Sequence, residues 1–159
     1  MIRYVLTAAA AFVFSACALA QCPVTTAPDL PFVPPAPYSG DAPHDAFWYG
    51  KESLWTFIST DPNWWRGFEK IVLWRAGFDW QKEPSPALAV VARRLDAPAP
   101  LVWAPHASGV RFNDTGLPPG ADMAMMTGFR IPSPGCWEIA AHYTAHYKDH
   151  TLSFVASEK

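Results

Sequence analysis

Pro132-Ser-Pro-Gly-Cys136-Trp-Glu-Ile-Ala-Ala-His142-Tyr-Thr-Ala-His146-Tyr147, followed by Lys148-Asp-His150 and Thr151-Leu-Ser-Phe-Val-Ala156, is the stretch whose reading decides the fold. From Trp137 the large side chains fall on Ile139, Tyr143 and Tyr147, and small Ala141 and Ala145 occupy the same parity. Glu138, His142, Thr144 and His146 occupy the other. Successive strand residues point to opposite faces of a sheet, so this alternation predicts a strand with one apolar and one polar face. Leu152 and Phe154 give a returning strand its own apolar face. A polar turn at Lys148 to His150 would join the two as a hairpin that closes a β core and ends the domain.

The other end of the chain reads as an address. Met1-Ile-Arg3 is short and positive, Tyr4 to Phe14 is apolar, and Ala18-Leu-Ala20 has the small-x-small pattern of a signal-peptidase site. This predicts a secretory signal peptide over residues 1–20. Its apolar run is far shorter than the ~20 residues that span a bilayer, and no later stretch is long and apolar enough to do so. Two cysteines compete for the cut as lipid-anchor sites. Phe14-Ser-Ala-Cys17 is close to a bacterial lipobox but has Phe14 where Leu is expected, and Leu19-Ala-Gln-Cys22 has Gln21 where a small residue belongs. Cleavage after Ala20 is preferred, with a lipid anchor at Cys17 as the rival and one at Cys22 as the third reading.

The first two readings leave Cys22 and Cys136 as the thiols free to pair, in an oxidising compartment. A Cys22–Cys136 disulfide is therefore expected, tying the N-terminal arm to the start of the terminal hairpin. The competing reading has Cys22 in a loose arm and Cys136 as a buried free thiol.

About 140 residues then remain, enough for one domain with a core. Half of the residues are apolar, 16% are charged and the formal net charge is −2, with no basic patch or charge run. That excludes the electrostatics nucleic acid or an anionic membrane surface would require. The expected place is the periplasm or cell envelope, free or tethered, and the expected partner is a glycan or another envelope protein.

Residues 21–46 carry seven of the seventeen prolines. Proline has no amide to donate to a sheet or helix, so this segment reads as an extended arm. Leu30, Phe32, Val33 and Tyr38 are too apolar for a bare linker, and part of the arm should lie on the domain. The body, residues 47–159, is punctuated by Pro and Gly. Phe47 to Tyr49 and Leu54 to Ser59 read as a hairpin across Gly50 to Ser53, and Phe68 to Arg75 as a further strand. Ala87 to Leu95 is a strand rather than a helix, because prolines bracket it tightly and Val90-Val91 favour the pleat. Leu101 to Trp103 is a short edge strand, Gly109 to Gly120 a loop, and Met123 to Ile131 a strand. Six to eight short strands with no helix predict an all-β, antiparallel, immunoglobulin-like β-sandwich with a Pro-rich N-terminal arm.

Cys22-Pro-Val-Thr, Ala92-Arg-Arg-Leu-Asp-Ala-Pro-Ala-Pro100 and Gly135-Cys-Trp-Glu-Ile139 together resemble an uncharacterised family of bacterial exported proteins. That family carries a Cys-Pro near its mature start, an Arg-Arg-Leu-Asp-x-Pro-x-Pro segment and a Gly-Cys-Trp-Glu terminal strand. The resemblance implies export and a small β domain, and implies no activity. Here Ala140-Ala141-His142 stands after Trp-Glu where the family pattern has Thr-Gly-Arg or similar, and the terminal turn is longer and richer in histidine.

No nucleophile-and-base spacing, strand-to-helix elbow or carboxylate pair is legible around Ser133, Ser153 or the five histidines. A non-catalytic binding or envelope-associated role is expected. Eight tryptophans are many for this length. Trp55, Trp74 and Trp137 sit in strand patterns and read as core, whereas Trp48, Trp64, Trp65, Trp80 and Trp103 lie at strand ends or in loops. Of these, Trp64, Trp65 and Trp80 are the candidate glycan-stacking residues; the alternative is that they fold down as a lid over the core. His142, His146 and His150 are the candidate metal ligands of a Cu/Zn-handling protein. On a strand, however, residues four apart are separated by about 13 Å, too far to share one ion. Met123, Met125, Met126 and His106 could form a soft Cu(I) site, against the plainer reading of a strand packing Met into the core. Arg93-Arg94-Leu95-Asp96 closes a strand and reads as a structural Arg-to-carboxylate clasp, with Asp96 starting the Pro-rich turn.

Overall fold

The computed structural model describes residues 21–38, 40–43, 45–61, 68–113 and 121–158. The signal peptide, the candidate anchor Cys17 and the candidate stacking residues Trp64 and Trp65 lie outside them. Among the described residues nine strands run in chain order: β1 Ala46–Lys51, β2 Leu54–Ser59, β3 Phe68–Leu73, β4 Leu88–Arg94, β5 Val102–Trp103, β6 Ser108–Arg111, β7 Met123–Arg130, β8 Gly135–Ala145 and β9 Lys148–Glu158. Every pairing is antiparallel. The hairpin β1-β2 and the sheet β3-β7-β6 are joined where Trp55 and Trp74 exchange backbone hydrogen bonds of 3.0 and 2.9 Å, giving the first layer. The second layer has the order β5-β4-β8-β9.

The main core lies between the layers. Phe47, Leu54, Ile58, Ile71, Leu73 and Met125 face Leu88, Val90, Trp137, Ile139, Tyr143 and Phe154 across it. These are the alternate residues of each strand, so the period of two places the core as expected. The first layer is apolar on its other face too: Trp55, Val72, Trp74 and Ala124 form a second cluster with Tyr38 of the arm, and Phe32 packs against it. That is why β2 reads as a continuous apolar run and not as an alternation. The second layer has no such cover among the described residues, and its outward positions are polar or small apart from Trp103, Val91 and Val155.

The arm crosses from one layer to the other. Cys22 is disulfide-bonded to Cys136, with their Cα atoms 5.4 Å apart. Thr25 donates its amide to the Val155 carbonyl (2.9 Å) and accepts from the Val155 amide through its hydroxyl (2.8 Å), capping the edge of β9. Tyr38 T-stacks on Trp55 at 5.1 Å and Phe32 meets the same ring at 5.9 Å. Of the four apolar arm residues, Phe32 and Tyr38 pack while Leu30 and Val33 stay exposed.

The turn of the terminal hairpin differs from the expected one. It is the two-residue loop His146-Tyr147, both at positive φ (49° and 62°), and Ala145 pairs directly with Lys148. Pairing runs on to the tip because the last positions still find partners: Thr144 Oγ1 lies 2.8 Å from Asp149 Oδ1, and His150 stacks on Tyr143. Tyr147 therefore leaves the core parity and stands in solvent at 105% exposure. The start of the expected loop Gly109 to Gly120 is instead strand: Ser108–Arg111 form β6 along β7. Gly109 hides this strand in the sequence, yet the strand needs it: a Cβ there would lie 2.4 Å from the Glu83 carbonyl oxygen.

The two motifs of the family resemblance pack on each other. The Leu95 amide donates to the Cys136 carbonyl (2.7 Å), and the Arg94 guanidinium lies over the Trp137 ring at 5.9 Å and bonds Asp96 Oδ1 at 2.7 Å. Gly135 has φ 147°, a backbone conformation that favours glycine, and a Cβ there would also push the Arg94 guanidinium out of this clasp.

Candidate functional site

The outward face of the second layer is ordered in rows by the strand registers. Trp103 pairs with Val91, Val91 with Ala140, and Ala140 with Ser153, so these four side chains form one row across all four strands. Three strand spacings make the row about 14 Å long. On one side of it lies the row Ala89, His142, Thr151, and on the other Arg93, Glu138, Val155. Val91, Ala89 and Ala140 are short, and the face between Trp103 and the β9 hydroxyls sinks into a shallow groove of about 460 Å³. Trp103 is 61% exposed at its end.

The groove has an apolar floor, one planar aromatic wall and polar flanks. Glu138 Oε2 accepts from Arg93 Nε at 3.1 Å and Nη2 at 2.7 Å, which fixes the carboxylate beside the groove. His142 Nε2 lies 3.5 Å from Asp149 Oδ1 on the other flank. Thr151 and Ser153 add hydroxyls. Such a set suits a ligand with alternating apolar and hydroxyl-bearing surface, and the exposed Trp103 indole offers it a face for stacking.

Trp80, a candidate stacking residue, is half-buried and packs against the main core, held there by the backbone turn that β6 crowds through Gly109. Trp48 T-stacks on Trp74 at 5.5 Å and bonds the Gly40 carbonyl. Both serve as cover for the core. Trp103 was legible among the five loop and strand-end tryptophans; its outward parity beside Val102 was the available signal, and its register against Val91 was not.

The three candidate metal histidines do not converge. His142 lies on the outward face, His150 on the opposite face opposite Tyr143, and His146 in the turn. Among the described residues no group of three His, Cys, Asp or Glu side chains could hold an ion. Met125 is wholly buried and Met123 packs on the same core, while Met126 faces the second cluster and His106 is exposed elsewhere, so these four do not form a copper site.

One polar network is built into the core wall. Arg75 donates through Nε to the Tyr143 hydroxyl (2.7 Å), which donates to Glu83 Oε2 (2.7 Å), and Arg75 Nη2 bonds Glu83 Oε1 (3.3 Å). Burial works against the Arg75 charge, but Tyr143 and Glu83 outweigh it and hold its pKa above the ordinary value. Burial and the neighbouring Glu83 carboxylate push the Tyr143 phenol up. The Arg75 and Glu83 charges offset each other, and the hydrogen bonds fix all three members in place.

Compared with protein-family models, curated proteins and solved structures, the chain finds no match. Among the described residues no helix is long and apolar enough to cross a membrane.

Proposed function

We propose that this chain is an exported, non-catalytic binding module of the bacterial cell envelope whose ligand is a saccharide held on the outward face of β5-β4-β8-β9. The observation that carries the reading is Trp103, a largely exposed indole at the end of a groove floored by Val91 and Ala140 and flanked by Glu138, His142, Thr151 and Ser153. A sugar ring offers C–H faces to an indole and hydroxyls to such flanks. The signal-peptide pattern and the disulfide both support export.

Titration of the disulfide-closed protein with chito-, cello- and peptidoglycan-derived oligosaccharides tests this, read as protection of tryptophan fluorescence from iodide. Saturable protection by one class, lost in Trp103→Ala, is the expected result. Protection by none, or protection undiminished in Trp103→Ala, would refute the saccharide reading and leave an envelope protein as the partner to be sought.

A further inference from the structure

Independently of the saccharide groove, a second cavity of about 410 Å³ opens at the turn end of the sandwich, where three separate turns meet. Its lining includes Glu52 and Ser53 from the β1–β2 turn, Arg75 beyond β3, and His146, Lys148 and His150 of the terminal hairpin. Four nitrogen-bearing side chains thus line it with one carboxylate, Glu52, while Glu83 is bonded to Arg75 behind the wall.

Arg75 is set in place before any ligand arrives. Nε is taken by the Tyr143 hydroxyl, one Nη1 hydrogen by the Ala76 carbonyl (3.1 Å) and one Nη2 hydrogen by Glu83, with the Phe78 and Tyr143 rings 5.7 and 5.6 Å from its central carbon. A guanidinium has five N–H bonds, so two remain without an acceptor among the described residues. The side chain is 17% exposed, and the residue lines the cavity. A rigid fork of this kind loses little entropy on meeting an oxyanion.

The hairpin tip adds a second observation. A two-residue turn with both residues at positive φ is best served by Asn-Gly, yet this turn holds His146 and Tyr147. The turn places the His146 imidazole and, two residues on, the Lys148 ammonium at the cavity rim, while stacking on Tyr143 at 6.1 Å orients His150 beside them. Lys148 supplies a mobile point charge to complement the fixed fork. The remaining acceptors in the lining, Glu52 and the Ser53 hydroxyl, are too few to favour a cation.

We infer that this cavity binds a small oxyanionic ligand, a molecule bearing a phosphate or carboxylate group, with Arg75 and Lys148 as its charge partners and His146 and His150 as added donors. The volume suits a compact metabolite. The test is an amide-resonance titration of the disulfide-closed protein with inorganic phosphate and, separately, citrate, at constant ionic strength. The expected result is saturable shifts confined to residues 52–53, 75–76 and 145–150, with Kd on the order of 1 mM for the preferred anion. A Lys148→Gln, His150→Gln variant that keeps the native spectrum should bind about tenfold more weakly. The preferred anion tells phosphate chemistry from carboxylate chemistry. Absence of saturation with both anions, or equal affinity in the variant, overturns the site.

Discussion

Reduction of Cys22–Cys136 should cost this protein a large share of its stability, and the magnitude follows from the chain path. The bonded residues are 114 apart in sequence. On the chain-entropy model a closed loop of that size removes about 16 cal/mol/K from the unfolded ensemble, or about 4.8 kcal/mol at 25 °C. Native contacts around the bond change little on reduction: Cys136 is buried, and a thiol there packs as a small apolar side chain. Downstream of it the arm keeps its own anchors, Thr25 on Val155 and Phe32 with Tyr38 on Trp55. The loss should therefore appear as a shifted midpoint with a somewhat larger denaturant slope, because the unfolded chain expands. With a slope of about 2 kcal/mol/M in urea, the midpoint falls by about 2 M. Equilibrium urea unfolding followed by tryptophan fluorescence, with and without dithiothreitol, measures this. Cys22→Ser should match the reduced wild type and be insensitive to reductant. A midpoint change under about 0.5 M would refute the reasoning, since it would mean that the linkage restricts the unfolded chain far less than its length requires.

Tyr143→Phe removes one hydroxyl that serves both Arg75 and Glu83; hydrogen bonds to charged groups contribute about 1.5–3 kcal/mol, and partial solvent access to both partners places the expected loss near 2 kcal/mol by urea unfolding. A loss under about 0.5 kcal/mol would show that water replaces the hydroxyl fully. Stability should also fall in alkali. Burial raises the pKa of Tyr38, and burial with the Glu83 carboxylate raises that of Tyr143, so the stability tied to their neutral phenols is present below the unfolded value near 10 and is lost as pH rises through the folded values. Tyrosinate absorbance should rise together with unfolding, and a urea midpoint unchanged up to about pH 11.5 would contradict this. At the hairpin tip, His146→Asn with Tyr147→Gly should raise stability by about 1 kcal/mol, because both positions have positive φ; a melting temperature at or below that of the parent would mean the native turn carries compensating contacts.

Local pattern was enough for much of the architecture. The alternation after Trp137 placed β8 and its buried residues, the bracketing prolines marked β4, and an Arg-to-carboxylate clasp within Arg93 to Asp96 was legible from charge order, although the fold decided that Arg94 makes it while Arg93 meets Glu138. The misplaced turn shows where local pattern stops: Lys148-Asp149-His150 is polar enough to be a turn, but cross-strand partners to Thr144 and Tyr143 hold those residues in the ladder. Likewise β6 exists because β7 offers it an edge, and Gly109 lets it pass the backbone at Glu83.

Composition, parity and cysteine count are properties of neighbours along the chain, and they sufficed for the β class, the strand periods, the arm and the Cys22–Cys136 pair. The candidate sites depend on distances between segments far apart in sequence. Only register could line Trp103 up with Val91, Ala140 and Ser153, separate His142 from His150 onto opposite faces, or bring Arg75 beside His146, Lys148 and His150. The same packing decided that the arm covers one sheet and leaves the other open, because an apolar face is removed from water by whichever segment the tertiary fold brings to it.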